Sequence, residues 1–116
     1  MTLINGNGLD AIQRADEWLD GDVGLAYKEQ PLAQSWARVA KASEEAGEAI
    51  RVMIGMTSQN PRRTEGTRHD LLAELADGAC AFLLAIQHFT KDTDETDSYL
   101  AAALGKVAHR AGDHGY

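Results

Sequence analysis

The sequence predicts an all-α domain built from four helices. Three observations carry that prediction. Apolar residues recur at three- and four-residue steps in four separate stretches, the pattern of amphipathic helices. No stretch alternates apolar and polar residues as a half-buried strand does. Turn-forming residues fall between the four periodic stretches, as at Gly21, Asn60-Pro61 and Glu65-Gly66.

Residues 1–8 are rich in Gly and Asn and are expected to be irregular and flexible. The first helix is read from Leu9 to Leu19, with Leu9, Ile12, Ala15, Trp18 and Leu19 on its apolar face and Gly21 ending it. Residues 21–30 read as a connector. Pro31 suits the first turn of the second helix, where its missing N–H costs nothing. That helix is expected to run to about Ile54, with Gly55 near its end. Leu32, Trp36, Val39, Ala46, Ile50 and Met53 share one broad sector, expected to face the core, as are Trp18 and Cys80. A long loop covers 55–67. The third helix starts near Arg68 with Thr67 as its N-cap and reaches about His88. It is apolar around most of its circumference, so it is expected to be central. Residues 90–97 read as an exposed polar turn and the start of the fourth helix, which buries Tyr99, Leu100, Ala103, Leu104 and Val107 and ends before Gly112. The tail 112–116 is expected to fray.

The chain has 116 residues, which fits a single domain spanning 1–116. Its formal net charge is −7, a balance that disfavours a nucleic-acid polymer as partner. A small anionic substrate remains compatible, because a bound divalent ion reverses the local sign. The single cysteine, Cys80, rules out an intrachain disulfide and fits a cytoplasmic protein. No signal peptide or membrane-spanning run is visible.

The chemistry concentrates in two acidic groups. Glu44, Glu45 and Glu48 fall within ~100° of one helix face, and Glu74 and Asp77 lie ~60° apart on another. The first group projects away from the apolar sector of its own helix. The second forms, with Asp70, a polar strip on an otherwise apolar helix, where an unpartnered Asp77 would be costly to bury. Gly78, Ala81 and Ala85 follow and read as the floor of a pocket. If the two helices pack with the acidic faces together, five carboxylates converge and repel unless a cation sits among them. Carboxylate oxygens without His or Cys suit Mg²⁺, with Mn²⁺ as a substitute. A solvated acidic face or a buried salt bridge would account for the same residues without a metal.

The arrangement Glu44-Glu45-x-x-Glu48, a spacer, then Glu74-x-x-Asp77, preceded by Lys41, resembles the signature of the MazG-like all-α nucleoside triphosphate pyrophosphatases. The segment 54–62 is similar to the inter-helix loop of an actinobacterial and phage group within them. The resemblance covers about residues 30–110. It implies a four-helix bundle assembled as a homodimer or homotetramer. It also implies Mg²⁺-dependent hydrolysis of a nucleoside triphosphate between the α and β phosphates, as in cytoplasmic nucleotide-pool house-cleaning. By motif position, Glu45, Glu48, Glu74 and Asp77 would hold metal. Glu44, Glu45 and Lys41 would serve the reaction. Lys41, Asn60, Arg62, Arg63, Lys106 and Arg110 would meet the substrate.

Other functions fit parts of the same pattern. Phosphoribosyl-ATP pyrophosphatases share the acidic residues. A non-catalytic helical interaction module would need none of them. A ferritin-like di-metal bundle is disfavoured, because it wants Glu-x-x-His on two helices and position 48 is Glu while position 77 is Asp.

Overall fold

A computed structural model describes residues 2–21, 29–57 and 66–116. Four helices account for most of them: α1 (Gly6–Asp20), α2 (Pro31–Met56), α3 (Arg68–Thr90) and α4 (Thr93–Asp113). There is no strand among the described residues, so the all-α class holds. No helix among them is long and apolar enough to cross a membrane.

Caps set the boundaries. Asn5 Oδ1 accepts the N–H of Gly8 at 2.8 Å, so α1 starts at Gly6, three residues before the expected Leu9, and residues 6–8 are helical rather than irregular. Pro31 opens α2, which reaches Met56 and carries Gly55 inside its last turn. A capping box opens α3: Thr67 Oγ1 accepts from Asp70 N at 3.1 Å, and Asp70 Oδ2 accepts from Thr67 N at 3.0 Å. Thr67→Ala is expected to cost about 1 kcal/mol, measurable by urea unfolding. Gly66, just before the cap, has φ +140°, and a Cβ there would lie 3.0 Å from the Val52 carbonyl oxygen. Asp92 caps α4 by accepting from the N–H groups of Asp94 and Glu95. The helix then continues past the expected stop at Gly112 to Asp113.

The helices α2 and α3 form an antiparallel hairpin that makes the main contact of the fold, and α3 also meets α1 and α4. The central place expected for α3 is therefore correct. Its corner with α4 is a buried polar knot, in which Thr96 Oγ1 donates to Gln87 Oε1 at 2.7 Å and meets Thr90 Oγ1 at 2.8 Å. Asp97 ties down the N-terminal segment, accepting from Leu3 N and Ile4 N at 3.0 and 2.8 Å.

The expected core is not the observed one. The hairpin seam is made of small residues, with Ala42 and Ala49 of α2 and Ala81 and Ala85 of α3 buried. Small side chains let the backbones approach closely, and that face of α2 lies ~75° round the helix from the middle of its large apolar sector. That sector is consequently exposed at Leu32, Trp36, Val39, Ala46, Ile50 and Met53. Trp18, Tyr99, Leu104 and Val107 are exposed as well, and so is Cys80. Ala81 and Ala85 are seam residues, not the floor of a pocket opening beside the acids.

Candidate metal centre

Packing α2 on α3 through small residues brings the acids to the rim of the seam. Gly78 of α3 lies directly against Glu45 of α2, a Cβ built on it falling 3.8 Å from Glu45 Cβ, an ordinary contact distance. Glu45, Glu74 and Asp77 each offer a carboxylate oxygen, and these oxygens lie within 4.8 Å of one another. Glu45 and Glu74 are half-buried. Asp77 is exposed, so the expected cost of burying it does not arise. Its position beside two other carboxylates is what distinguishes it.

Among the described residues, charge around this cluster is unbalanced. Partial burial, followed by the charges of Asp77, Glu48, Glu45 and Asp70, raises the Glu74 carboxyl above its ordinary value. Glu74 and Asp77 have no cationic partner among the described residues. Lys41 lies at the edge, with its Nζ 3.2 Å from Glu45 Oε1 and 3.3 Å from Glu44 Oε2. Hydrogen bonds to Glu45 and then Glu44 hold its ammonium above the usual lysine range. Glu48 is half-buried, outside the three-oxygen group, and pairs with Arg51 at 3.5 Å. Glu44 is exposed and paired with Lys41. The donor set, all hard oxygen with excess negative charge, fits a divalent cation.

The predicted basic residues are not gathered here. Lys106 and Arg110 lie on the exposed second half of α4, whose backbone approaches α1 and α3 and not α2. Within one chain they are remote from the carboxylates of α2. Asn60, Arg62 and Arg63 lie outside the described residues.

A second charged cluster was not anticipated from the sequence. Asp16, Asp20 and His88 also present donor atoms within 4.8 Å of one another, a spacing that a metal ion can span. Two cations already occupy the neighbourhood. Arg38 Nη2 lies 2.7 Å from Asp16 Oδ1 and 3.2 Å from Asp20 Oδ1. Lys91 Nζ pairs with Asp16 Oδ2 at 2.8 Å and also with Asp20 Oδ2. The ring of His88 bridges Asp20 Oδ1 at 3.1 Å and Ser35 Oγ at 2.9 Å. Lys91 reaches back to α1 from a left-handed turn at φ 55°, where it caps α3. Two carboxylates facing an arginine and a lysine make a neutralised structural knot, in contrast to the rim, where Glu74 and Asp77 have no cationic partner among the described residues. Two signals for it lie in the sequence: Asp16 and Asp20 spaced i,i+4 on α1, and Arg38 set between Trp36 and Val39.

Comparison of the chain with protein-family models, with curated proteins and with solved structures gave no match.

Proposed function

We propose that the chain is a Mg²⁺-dependent nucleoside triphosphate pyrophosphohydrolase of the MazG-like kind, producing a nucleoside monophosphate and pyrophosphate. One observation carries this reading: Glu45, Glu74 and Asp77 converge across the α2–α3 seam with no balancing cation for Glu74 and Asp77 among the described residues, and Glu74 holds its proton more tightly than usual. Their pattern in the sequence is also the one that resembles that superfamily.

In this reading Glu45, Glu74 and Asp77 hold the metal, with Glu48 beside them as a further carboxylate. A bound divalent ion supplies charge neutralisation for phosphate oxygens and a water of lowered pKa. The chain's own residues do the rest. Lys41 fixes the orientation of Glu45 through its ion pair and stands ready to meet a phosphate oxygen. Glu44, exposed beside Lys41, is placed to accept a proton from a water at the rim. The setting is the cytoplasmic nucleotide pool.

The test is pyrophosphate release from a panel of (d)NTPs, including modified bases, and from phosphoribosyl-ATP, each with Mg²⁺ or Mn²⁺. Release from a (d)NTP is the expected result. Turnover of phosphoribosyl-ATP alone would move the substrate to the histidine-pathway class. Silence across the whole panel would leave a helical interaction module as the better reading.

A further inference from the structure

We propose that Asp20, His88 and Ser35 form an acid–base–nucleophile triad, which opens on an apolar groove and hydrolyses small esters of apolar carboxylic acids through an acyl-Ser35 intermediate. Three helix ends bring these residues together: the last residue of α1, the second turn of α2 and the last turn of α3. His88 Nδ1 lies 3.1 Å from Asp20 Oδ1, and its Nε2 lies 2.9 Å from Ser35 Oγ. A base within reach of a hydroxyl, and itself oriented by a third group on its other nitrogen, is the geometry that activates a serine, whatever the order along the chain.

The surroundings fix the roles. Arg38 and Lys91 already balance Asp16 and Asp20, so the cluster calls for no third cation and the ring is neutral. The hydrogen-bond network then assigns the tautomer: Nδ1–H donates to the Asp20 carboxylate, which only accepts, and the Nε2 lone pair faces the hydroxyl. Gln34 and Arg38 also donate to Asp20 Oδ1, at 3.0 and 3.2 Å, and hold the carboxylate in place. The His88 side chain is 12% exposed and meets Phe89 edge to face with ring centres 5.0 Å apart, so its orientation is set as well.

Ser35 departs from the ordinary helical serine. Ser98 Oγ donates to the Asp94 carbonyl one turn back at 2.9 Å, the usual bond of its kind. Ser35 has the same bond, to the Pro31 carbonyl, lengthened to 3.2 Å, and its shorter contact is with the imidazole. Its side chain lines a groove of about 370 Å³ with Leu32, Trp36, Val39 and Phe89, a lining that suits a short acyl chain. Helical side chains lean toward the helix N-terminus, so an oxyanion formed on Ser35 falls near the first turn of α2. There the N–H groups of Leu32 and Ala33 have no acceptor among the described residues, and the helix dipole favours negative charge.

Attack of Oγ on the ester carbonyl carbon passes the hydroxyl proton to His88 Nε2. Collapse of the tetrahedral adduct breaks the acyl–oxygen bond, and the leaving alkoxide takes that proton from Nε2. Water then attacks the acyl-serine and gives a proton to Nε2, which returns it to Oγ as the carboxylic acid departs. One ester and one water yield one acid and one alcohol. Arg38 and Lys91 offset part of the negative field that would stabilise the imidazolium, so turnover is slow and covalent trapping is the sensitive readout. Glu45 lies ten residues further along α2, ~15 Å at the helical rise, and the triad needs no metal, so this site stands apart from the proposed pyrophosphohydrolase.

The test treats the full chain with an alkyl fluorophosphonate, from which Oγ displaces fluoride at phosphorus, and maps the adduct by peptide mass spectrometry. Hydrolysis of p-nitrophenyl butyrate is followed in EDTA. The adduct is expected on Ser35, with ester turnover that persists in EDTA. Ser35→Ala should abolish the adduct, and His88→Ala should slow labelling and turnover roughly 10²–10⁴-fold. His109→Ala, at an exposed position on α4, should change neither. Asp20 acts through His88, so its readout is the ring tautomer by ¹⁵N NMR: Nδ1–H in the unaltered chain, shifted toward Nε2–H in Asp20→Asn, with slower labelling. Labelling of the unaltered chain decides the question even where a variant does not fold. An unlabelled Ser35 overturns the proposal, as does ester hydrolysis that survives Ser35→Ala or disappears in EDTA, or an Nε2–H ring in the unaltered chain.

Discussion

Arg38→Ala should destabilise the fold by about 3–5 kcal/mol, the cost of removing one partner from a buried ion pair. Arg38 is 8% exposed and Asp16 is 3% exposed, so water cannot replace the lost contact. The guanidinium is the buried charged link from α2 to α1, beside the Gln34 Nε2 to Asp20 Oδ1 hydrogen bond: Nη2 donates to Asp16 Oδ1 at 2.7 Å, and Nη1 reaches the Leu84 carbonyl of α3 at 3.4 Å. Its Nε has no acceptor among the described residues, an existing cost that the other contacts outweigh. Truncation would leave Asp16 buried with Lys91 alone. Urea unfolding at a fixed protein concentration measures the effect. The paired change Arg38→Met/Asp16→Leu should recover much of the loss, because it removes both charges. A loss below about 1 kcal/mol for Arg38→Ala would mean that α1 is held by other contacts.

The same knot sets an acid limit. Burial alone would raise the Asp20 carboxyl, but hydrogen bonds from Lys91 and Arg38, with their charges, outweigh it and hold the group below its ordinary value. A depressed carboxyl contributes stability above its unfolded value, about 3.9, and that contribution is lost as pH falls through the lower folded value. Asp20→Asn should flatten this acidic part of the stability profile, which urea unfolding at a series of acidic pH values would show.

What the sequence disclosed follows from what periodicity can and cannot report. The four helices were legible because 3.6-residue spacing and caps such as Thr67 are local signals. The acidic convergence was legible because Glu45 and Glu74-x-x-Asp77 are fixed to their helices by the same geometry. The direction of packing was not. An apolar stripe says that something must cover it, without saying whether the cover belongs to the same chain. Here the hairpin closes through Ala42, Ala49, Ala81 and Ala85, which carry little weight in a hydrophobicity pattern, while Trp36 and Phe89 face outward. The Asp16–Arg38–Lys91 knot was missed for a related reason. Its members lie up to 75 positions apart, and no spacing rule joins them.

Glu74→Gln should abolish the response of the protein to divalent cations while making the metal-free protein more stable at neutral pH. Glu74 is raised by partial burial and by four neighbouring carboxylates. A raised folded value means that its contribution to stability is fully present below the unfolded value, about 4.3, and is lost as pH rises through the folded value. At pH 7 the ionised group therefore strains the metal-free site, and a neutral amide relieves that strain. In the unaltered protein Mg²⁺ or Mn²⁺ should relieve it instead, so Tm rises with added metal. That rise should weaken on acidification through the Glu74 range, where protons compete with the cation. If the proposed metal centre is right, Glu74→Gln and Asp77→Asn should each lower metal-dependent pyrophosphate release on the order of 10²-fold, since each replaces a charged carboxylate ligand with a neutral amide. His88→Ala separates the two clusters. If the cation occupies the Glu45–Glu74–Asp77 rim, the thermal shift survives His88→Ala and disappears in Glu74→Gln. The reverse pattern would put the metal between Asp16, Asp20 and His88, where Lys91 would have to give way, and would leave the rim as uncompensated surface charge.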